Sequence, residues 1–202
     1  MRHGQTSWNK SDRFQGQNQV ALNDEGVQQA QRVAQTLKTM HPSFLYASPL
    51  LRARQTADII GRSCALPVTH LGGLMELDLG ELDGITGEEM RARYPDVYQM
   101  WGRDPSQVRM PGGESLQQLQ DRVWAQVESI GASHAGDDVV AVSHNFAIVA
   151  ALCRLLDMPL SRFHRLRVDL GSMSTVELVP RGWRVISLNA GVHLNANSPT
   201  ED

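Results

Sequence analysis

The sequence predicts one α/β domain, a three-layer α/β/α arrangement in which helices cover both faces of a mostly parallel sheet. Two observations predict this class. Short apolar runs typical of buried strands, such as the run at residues 139–142, alternate with segments whose apolar residues recur at every third or fourth position. The chain also has 202 residues, enough for one full core. We expect the domain at residues 1–190 and a flexible tail at residues 191–202.

In the first half of the chain, capping residues and apolar spacing define the elements. Asn23 or Asp24 caps a helix, because apolar residues at three- and four-residue spacing follow from Val27 to Leu37. The polar residues 10–19 before it are expected to form a loop. The elements predicted next are a buried strand at residues 44–47, a helix at about 51–62 and a short strand at 67–69.

In the second half, proline and glycine separate the predicted elements. Two short helices are expected on either side of Pro95, followed by a loop at residues 102–114. Ser115 caps a long helix whose inner face carries apolar residues as far as Ile130. The last predicted elements are a buried strand at residues 139–142, an apolar helix at 146–156, and paired strands at 175–179 and 183–188.

The composition excludes several classes of partner. The formal net charge of −3 gives no support for binding to nucleic acid or to an anionic membrane, which would need a basic excess. No apolar run is long enough to span a membrane and the N-terminus is polar, so we expect a cytoplasmic protein. Zinc-type spacing of Cys and His and a P-loop are both absent from the sequence, so we expect neither a metal nor a cofactor. Cys64 and Cys153 lie in apolar helical settings and are expected to be buried thiols.

Polar residues follow the strand-like runs at the points where a ligand site is expected. Ser48 follows the first run, and His144 follows the run at residues 139–142. Ligands of open parallel sheets bind beyond the carboxyl ends of the strands. These residues therefore mark one edge of the sheet as the candidate site.

The N-terminal residues Arg2-His3-Gly4 have the chemistry of a phosphate site. A neutral imidazole can attack phosphorus at physiological pH, and arginine offers a planar fork of donors to phosphoryl oxygens. Glycine lets the backbone approach a bound anion closely. Alone, this tripeptide is equally compatible with a solvated basic N-terminus.

Four further segments continue the pattern in a fixed order. They are residues 46–57 (YASPLLRARQTA), 76–84 (ELDLGELDG), 111–115 (PGGES) and 139–145 (VVAVSHN). Together with RHGQTSWN at residues 2–9, they resemble the motifs of the histidine phosphatase superfamily, also called the phosphoglycerate mutase-like family. The resemblance extends from Met1 to about Leu188.

The resemblance implies phosphoryl-transfer roles for the basic residues of the motifs. His3 would be the nucleophile that forms a phosphohistidine, with Arg2 and Arg52 as phosphate clamps. His144, when protonated, would hold the same phosphate. The family pattern selects Arg52 rather than Arg54, which would point elsewhere from the same helix.

The acidic motif supplies the expected general acid. Glu76 would protonate the leaving alkoxide and later activate water. From the sequence alone Asp78, Glu81 and Asp83 compete for this role, and only the family pattern selects Glu76. The substrate-binding residues that the resemblance implies are Asn9, Gln15, Gly16 and Asn145.

The N-terminus departs from the family pattern. Members place RHG directly after an apolar strand of the sheet, whereas only Met1 precedes Arg2 in this sequence. We therefore expect the N-terminal strand to be truncated here.

The resemblance leaves three functions to be weighed. The first is hydrolysis of a small phosphorylated metabolite with release of inorganic phosphate. The second is a phosphoglycerate mutase, but the resembling mutases carry an extra segment between the acidic and PGGES motifs, where only residues 85–110 lie here. The third is a non-catalytic phosphate-binding or interaction module. An exposed apolar edge would favour a homodimer.

Overall fold

Three parallel strands form the central sheet of the protein. The computed structural model describes residues 1–191, so residues 192–202 of the predicted tail lie outside the described residues. β1 (Phe44–Ala47) lies between β2 (Val68–His70) and β3 (Val139–Val142). All pairings are parallel and in register, so the three strands end at one edge. The predicted α/β class with a parallel sheet is confirmed.

Residues 1–3 lie beside β3 in the next position of the sheet. Arg2 forms a parallel bridge with Ser143, and the His3 amide donates to the Ser143 carbonyl at 3.1 Å. On the other side, the Arg2 amide donates to the carbonyl of Ser172 at 3.1 Å. The backbone that carries His3 is therefore fixed from both sides.

The chain ends in an antiparallel hairpin, as the alternating pattern predicted. β4 (Met173–Val179) pairs with β5 (Gly182–Ala190). Trp183 in β5 meets Trp124 edge to face, with ring centroids 6.2 Å apart. This contact packs the hairpin against the long helix that contains Trp124.

Seven α-helices connect and cover the strands in the described part of the chain. They are α1 (Ser7–Lys10), α2 (Asp24–Met40), α3 (Leu51–Cys64), α4 (Gly87–Arg93), α5 (Pro95–Arg103), α6 (Leu116–Ser133) and α7 (Asn145–Leu155). The predicted caps of two helices are confirmed: the Asn23 side chain accepts from Gly26, and Ser115 forms a capping box with Gln118. Short 3₁₀ turns lie at Gly72–Leu74, Gly80–Leu82, Pro105–Gln107 and Leu160–Arg165.

Two apolar clusters hold the layers together. One packs α2 and α3 on the sheet through residues such as Val33, Ile60 and Val142. The other joins α6 and α7 to the loops between residues 77 and 110.

Both cysteines are free thiols. Cys153 is buried as expected, but Cys64 is partly exposed because it is the last residue of α3. Within residues 1–191, no helix has the length and apolar character needed to cross a membrane.

Candidate active site

The predicted catalytic side chains lie together at the carboxyl edge of the sheet. His3 follows the strand position beside β3, and His144 follows β3 itself. Arg52 lies in the first turn of α3, which begins four residues after β1 ends. Glu76 lies in the segment after β2. Its carboxylate accepts from amides at the start of α7, which places it at the same edge of the sheet. All four side chains are buried.

The His3 ring is held in one orientation by a hydrogen bond at each of its two nitrogens. Nδ1 lies 2.7 Å from the backbone carbonyl of Gly4, so it carries the proton and donates there. Nε2 then accepts from Nε of Arg52, 3.2 Å away. Burial, with the charges of Arg52 and Arg2, lowers the pKa of His3 well below its usual value. A neutral imidazole with an accessible Nε2 is the form that can attack phosphorus.

Arg52 is a buried cation held by backbone carbonyls. Nη1 donates to the carbonyl of Asn18 at 3.0 Å and Nη2 donates to that of Gly16 at 2.8 Å. Burial lowers the guanidinium pKa to about 10, so Arg52 remains charged at neutral pH. None of these partners is a carboxylate, so its positive charge is available to an anion.

Asp83 holds the loop that contacts Arg52. Its carboxylate accepts from the backbone amides of Gly16, Gln17 and Asn18 at 2.9, 2.8 and 3.0 Å. These charge-assisted bonds fix the carbonyls to which Arg52 donates. Asp83 was one of the alternatives for the general acid, and the structure gives its carboxylate a different role.

Arg2 lies beside His3 with part of its guanidinium unpaired. Nη1 donates to the carbonyl of Val168 at 2.7 Å, whereas Nε is buried without a partner. Burial lowers the pKa of Arg2, and the negative charges of Glu76 and Asp169 oppose that shift. Arg2 therefore adds a second fixed cation next to His3.

Glu76 lies against the N-terminus of α7. Oε1 accepts from the amides of Leu77 and Ala147 at 2.9 and 3.1 Å, and Oε2 accepts from Phe146 at 3.1 Å. Burial raises the pKa of Glu76, although these amides and Arg52 oppose the shift. Oε2 makes one of these bonds and Oε1 two, so Oε2 keeps a lone pair for a transferable proton.

The other two candidate acids are occupied elsewhere. The Asp78 side chain accepts from the amide of Gly80, and Glu81 accepts from the Tyr94 hydroxyl at 2.9 Å. Neither is buried with the arginines, whereas Glu76 is. The geometry thus favours the residue that the motif selected.

His144 faces His3 across the site. Their ring centroids are 5.1 Å apart, and Nε2 of His144 lies 2.7 Å from Oγ of Ser48. Burial and the positive charge of Arg52 lower the pKa of His144 well below its usual value. The lowered pKa favours a neutral ring, whereas we expected the protonated form. The sequence motif does not show that Arg52 and Arg2 lie close to this ring, so it could not predict the shift.

The substrate-binding residues implied by the motifs lie on the loop and helix ends around this site. The Thr6 amide donates to Oδ1 of Asn9 at 3.0 Å, and the Thr6 hydroxyl donates to Oε1 of Gln15 at 2.8 Å. Gly16 contributes the carbonyl that contacts Arg52. Asn145 is the first residue of α7.

Several side chains of this site carry buried polar atoms without a hydrogen-bond partner. In the part of the chain that the structure describes, five buried side-chain polar atoms lack a hydrogen-bond partner: Arg2 Nε, Gln15 Nε2, His144 Nδ1, Arg32 Nε and Ser172 Oγ. Three of them are nitrogens of predicted site residues. Leaving buried polar atoms unpaired is unfavourable, and a bound anion would supply acceptors for the donors among them.

A family model described as the histidine phosphatase superfamily, branch 1, matches residues 1–191. The chain belongs to the histidine phosphatase superfamily. The resemblance of the five motifs to this superfamily is therefore confirmed.

Named relatives include both phosphatases and mutase-like proteins. Phosphoserine phosphatase 1 of Hydrogenobacter thermophilus is 34% identical over 194 residues, covering 96% of this chain and 92% of its own. A protein of Salmonella paratyphi C named "Probable phosphoglycerate mutase GpmB" is 32% identical, covering 97% and 94%. The solved structure of a mycobacterial glucosyl-3-phosphoglycerate phosphatase has a TM-score of 0.86 and 28% identity, covering 94% and 97%. The membership and these relatives support a phosphatase.

The PGGES motif of this superfamily member supports the segment that carries Glu76. Arg122 in α6 donates from Nε and Nη2 to the two oxygens of Glu114, at 3.0 and 2.8 Å. The same guanidinium donates to the carbonyls of Met75 and Glu76 at 3.0 and 3.2 Å. This ion pair gives Glu114 a structural role.

Gly4 of the RHG motif has a packing role in this superfamily member. A methyl group on Gly4 would overlap the backbone carbonyl of Gly26 in α2. The close approach that its small size permits is thus to a helix, whereas we had expected an approach to the anion.

Among residues 1–191 no group of three or more His, Cys, Asp or Glu side chains is placed to hold a metal ion.

The contacts of three further residues around the site were not predicted from the sequence. Thr6, Ser48 and Asp83 each bond a predicted site residue or its loop. All three residues lie within the quoted motifs, which was the available signal, but their hydrogen-bond partners follow only from the fold.

Proposed function

We propose that the protein is a phosphomonoesterase that works through a phosphohistidine at His3. The observation that carries this proposal is the set of unpartnered buried donors on Arg2, Gln15 and His144 around a neutral histidine. Together with Arg52 they suit a phosphoryl group, whose negative charge is spread over three oxygens.

In the first step, Nε2 of His3 attacks phosphorus as the bond from phosphorus to the leaving oxygen breaks. Arg2 and Arg52 stabilise the charge on the equatorial oxygens. Glu76 starts protonated and gives its proton to the leaving oxygen, so an alcohol departs. The raised pKa of Glu76 favours this protonated starting form.

In the second step, the Glu76 carboxylate takes a proton from water as the water oxygen bonds to phosphorus. The bond between phosphorus and Nε2 breaks, and its electron pair returns to His3. Inorganic phosphate leaves, with Glu76 protonated and His3 neutral as at the start. One carboxyl group thus acts as acid and then as base.

The proposed substrate is a small phosphorylated metabolite. Relatives named for phosphoserine and for glucosyl-3-phosphoglycerate support this class. A mutase remains the second candidate, because a relative at 32% identity carries that name. In a mutase the phosphohistidine would pass its phosphoryl group to a second hydroxyl and release no phosphate.

Hydrolysis of para-nitrophenyl phosphate, followed by intact-protein mass spectrometry after alkaline quenching, tests the proposal. We expect turnover and a transient phosphorylated protein, both lost in His3→Ala and both kept in a His164→Ala control, since His164 is exposed. Turnover that survives His3→Ala would overturn the phosphohistidine route. Conversion of 3-phosphoglycerate to 2-phosphoglycerate without release of phosphate would favour the mutase, and binding of phosphate without turnover of either substrate would favour a binding module.

A further inference from the structure

Ser48 is a fixed polar residue at the base of the site. It directly follows β1, and its amide donates to the carbonyl of Val142 in β3 at 2.9 Å. The side chain is fully buried. Its Oγ lies 2.7 Å from Nε2 of His144 and accepts from the amide of Leu50 at 3.3 Å. One partner of this hydroxyl is the side chain of His144, which lies just beyond β3. The other is the amide of Leu50, the residue that precedes α3.

The hydrogen-bond geometry determines which atom donates between Ser48 and His144. A serine hydroxyl has one proton and can also accept. The Leu50 amide already donates to Oγ. Within residues 1–191, the acceptor in contact with the hydroxyl proton is Nε2 of His144. Burial and nearby arginines keep the ring neutral, so one ring nitrogen is bare. A hydroxyl that donates to Nε2 places the ring proton on Nδ1.

The other side of the ring supports the same assignment. Nδ1 of His144 is buried without a partner, and its ring lies 5.1 Å from that of His3 between centroids. A proton on Nδ1 makes this atom a hydrogen-bond donor to an anion beside His3. The opposite tautomer would present a lone pair to the anion, which is repulsive.

We propose that Ser48 is a positioning residue: its hydroxyl donates to Nε2 of His144, so that Nδ1–H donates to an oxygen of the transferring phosphoryl group. This inference rests on the proposed function for the identity of the anion. The His144–phosphoryl contact is a hydrogen bond between a neutral imidazole and an oxygen, and no proton is transferred in it.

The tautomer of His144 can be measured without any turnover. Long-range ¹H–¹⁵N correlation spectra of the protein labelled with [¹⁵N]histidine show which ring nitrogen is protonated, with His144 assigned by its loss in His144→Gln. We expect the Nδ1–H form in the wild type and in Ser48→Thr, and a mixture or the Nε2–H form in Ser48→Ala. An Nε2–H ring in the wild type, or an unchanged ring in Ser48→Ala, would overturn the assignment.

Ligand binding and kinetics test the consequence for the site. In Ser48→Ala we expect orthovanadate to bind about tenfold more weakly and kcat to fall about 10- to 100-fold, somewhat less than for removal of a donor itself. Ser48→Thr keeps the hydroxyl and should restore most of both. Ser174→Ala is the control, because that partly buried serine in β4 also loses one hydrogen bond, to Asn189, but does not contact His144.

These readouts separate the inference from the proposed function. Addition of inorganic phosphate to the wild type should shift the Nδ1–H signal of His144 whether or not the protein turns over a substrate. If the tautomer and this shift are as expected but no ester is hydrolysed, the proposed function fails and the role of Ser48 stands. If esters are hydrolysed and Ser48→Ala behaves like Ser174→Ala, the role of Ser48 fails alone.

Discussion

Arg52 and Arg54 lie two residues apart on α3, yet their surroundings are opposite. Arg52 is fully buried and donates to His3 and to the carbonyls of the loop at residues 15–18. Arg54 is exposed. Successive helical residues point about 100° apart, so a separation of two turns the side chain away from the site.

This contrast gives a matched pair of variants. We expect Arg52→Ala to lower kcat for para-nitrophenyl phosphate by about 10²–10³-fold, because a donor to the transition state is lost. Arg52→Lys should recover only part, since an ammonium cannot reproduce the planar fork. Arg54→Ala should stay close to the wild type. Equal losses in Arg52→Ala and Arg54→Ala would contradict the assignment of Arg52 as the phosphate clamp.

The role of Glu76 as the acid predicts a dependence on the leaving group. Glu76→Gln removes the transferable proton but keeps a similar shape. Because para-nitrophenolate leaves without a proton and an alkoxide does not, we expect kcat/KM, which reports the first step and not the hydrolysis of the phosphohistidine, to fall about 10²–10⁴-fold for an alkyl phosphate such as phosphoserine and much less for para-nitrophenyl phosphate. Steady-state kinetics on both esters would measure this. The same loss on both would show that Glu76 is not the proton donor.

The backbones of the N-terminal motif and α2 approach each other closely at Gly26. A methyl group on Gly26 would overlap the backbone carbonyl of Gln5, whereas one on Gly87, in the first turn of α4, would meet no atom within 4 Å. Both glycines lie in the first turn of a helix. Gly26 is therefore needed for packing, while Gly87 has open space.

We expect Gly26→Ala to lower the free energy of unfolding by about 1–3 kcal/mol, because the backbone must shift to admit the methyl group. Gly87→Ala should be neutral or stabilise by about 0.5 kcal/mol, since alanine favours a helix over glycine. Urea denaturation of the two variants beside the wild type measures this difference. A Gly26→Ala variant as stable as Gly87→Ala would rule out the close approach of the backbones.

The elements show which features could be read from the sequence. Strands β1 and β3 and the capped helices were predicted because apolar runs and caps are local signals. The four-residue helix α1 was not, because it is too short to show an apolar period. The bonds from Asp83 to the loop at residues 16–18 join segments more than 60 residues apart, and no local pattern reports them. The candidate catalytic residues were predicted through the motifs, whereas the contacts of Ser48 needed the structure.

Across the whole molecule, buried ionisable groups make stability depend on pH. His3 and His144 are buried with pKa values well below their usual value. The unfolded chain binds protons on them as the pH falls below about 6.5, while the folded protein does not. Their contribution to stability is thus complete above pH 6.5 and is lost on acidification. Glu76 acts in the opposite sense, because its raised pKa lets the folded state bind a proton first.

We therefore expect the free energy of unfolding to fall by up to about 1.4 kcal/mol per pH unit for each of the two histidines between pH 6.5 and 5. His144→Asn should flatten this dependence. Glu76→Gln should steepen it, since the opposing contribution is removed. Urea denaturation at a series of pH values gives the slopes, and parallel curves for the wild type and His144→Asn would disprove the prediction.

The strand position of residues 1–3 has a consequence for the order of events during synthesis. His3 is made well before Ser143, which holds its backbone, and Arg2 is made well before Ser172, which holds that of Arg2. Contacts between such distant parts of a chain form late in folding. The surroundings of His3 therefore form only after synthesis has passed Ser172, and a nascent chain that ends before this residue would carry His3 without its site.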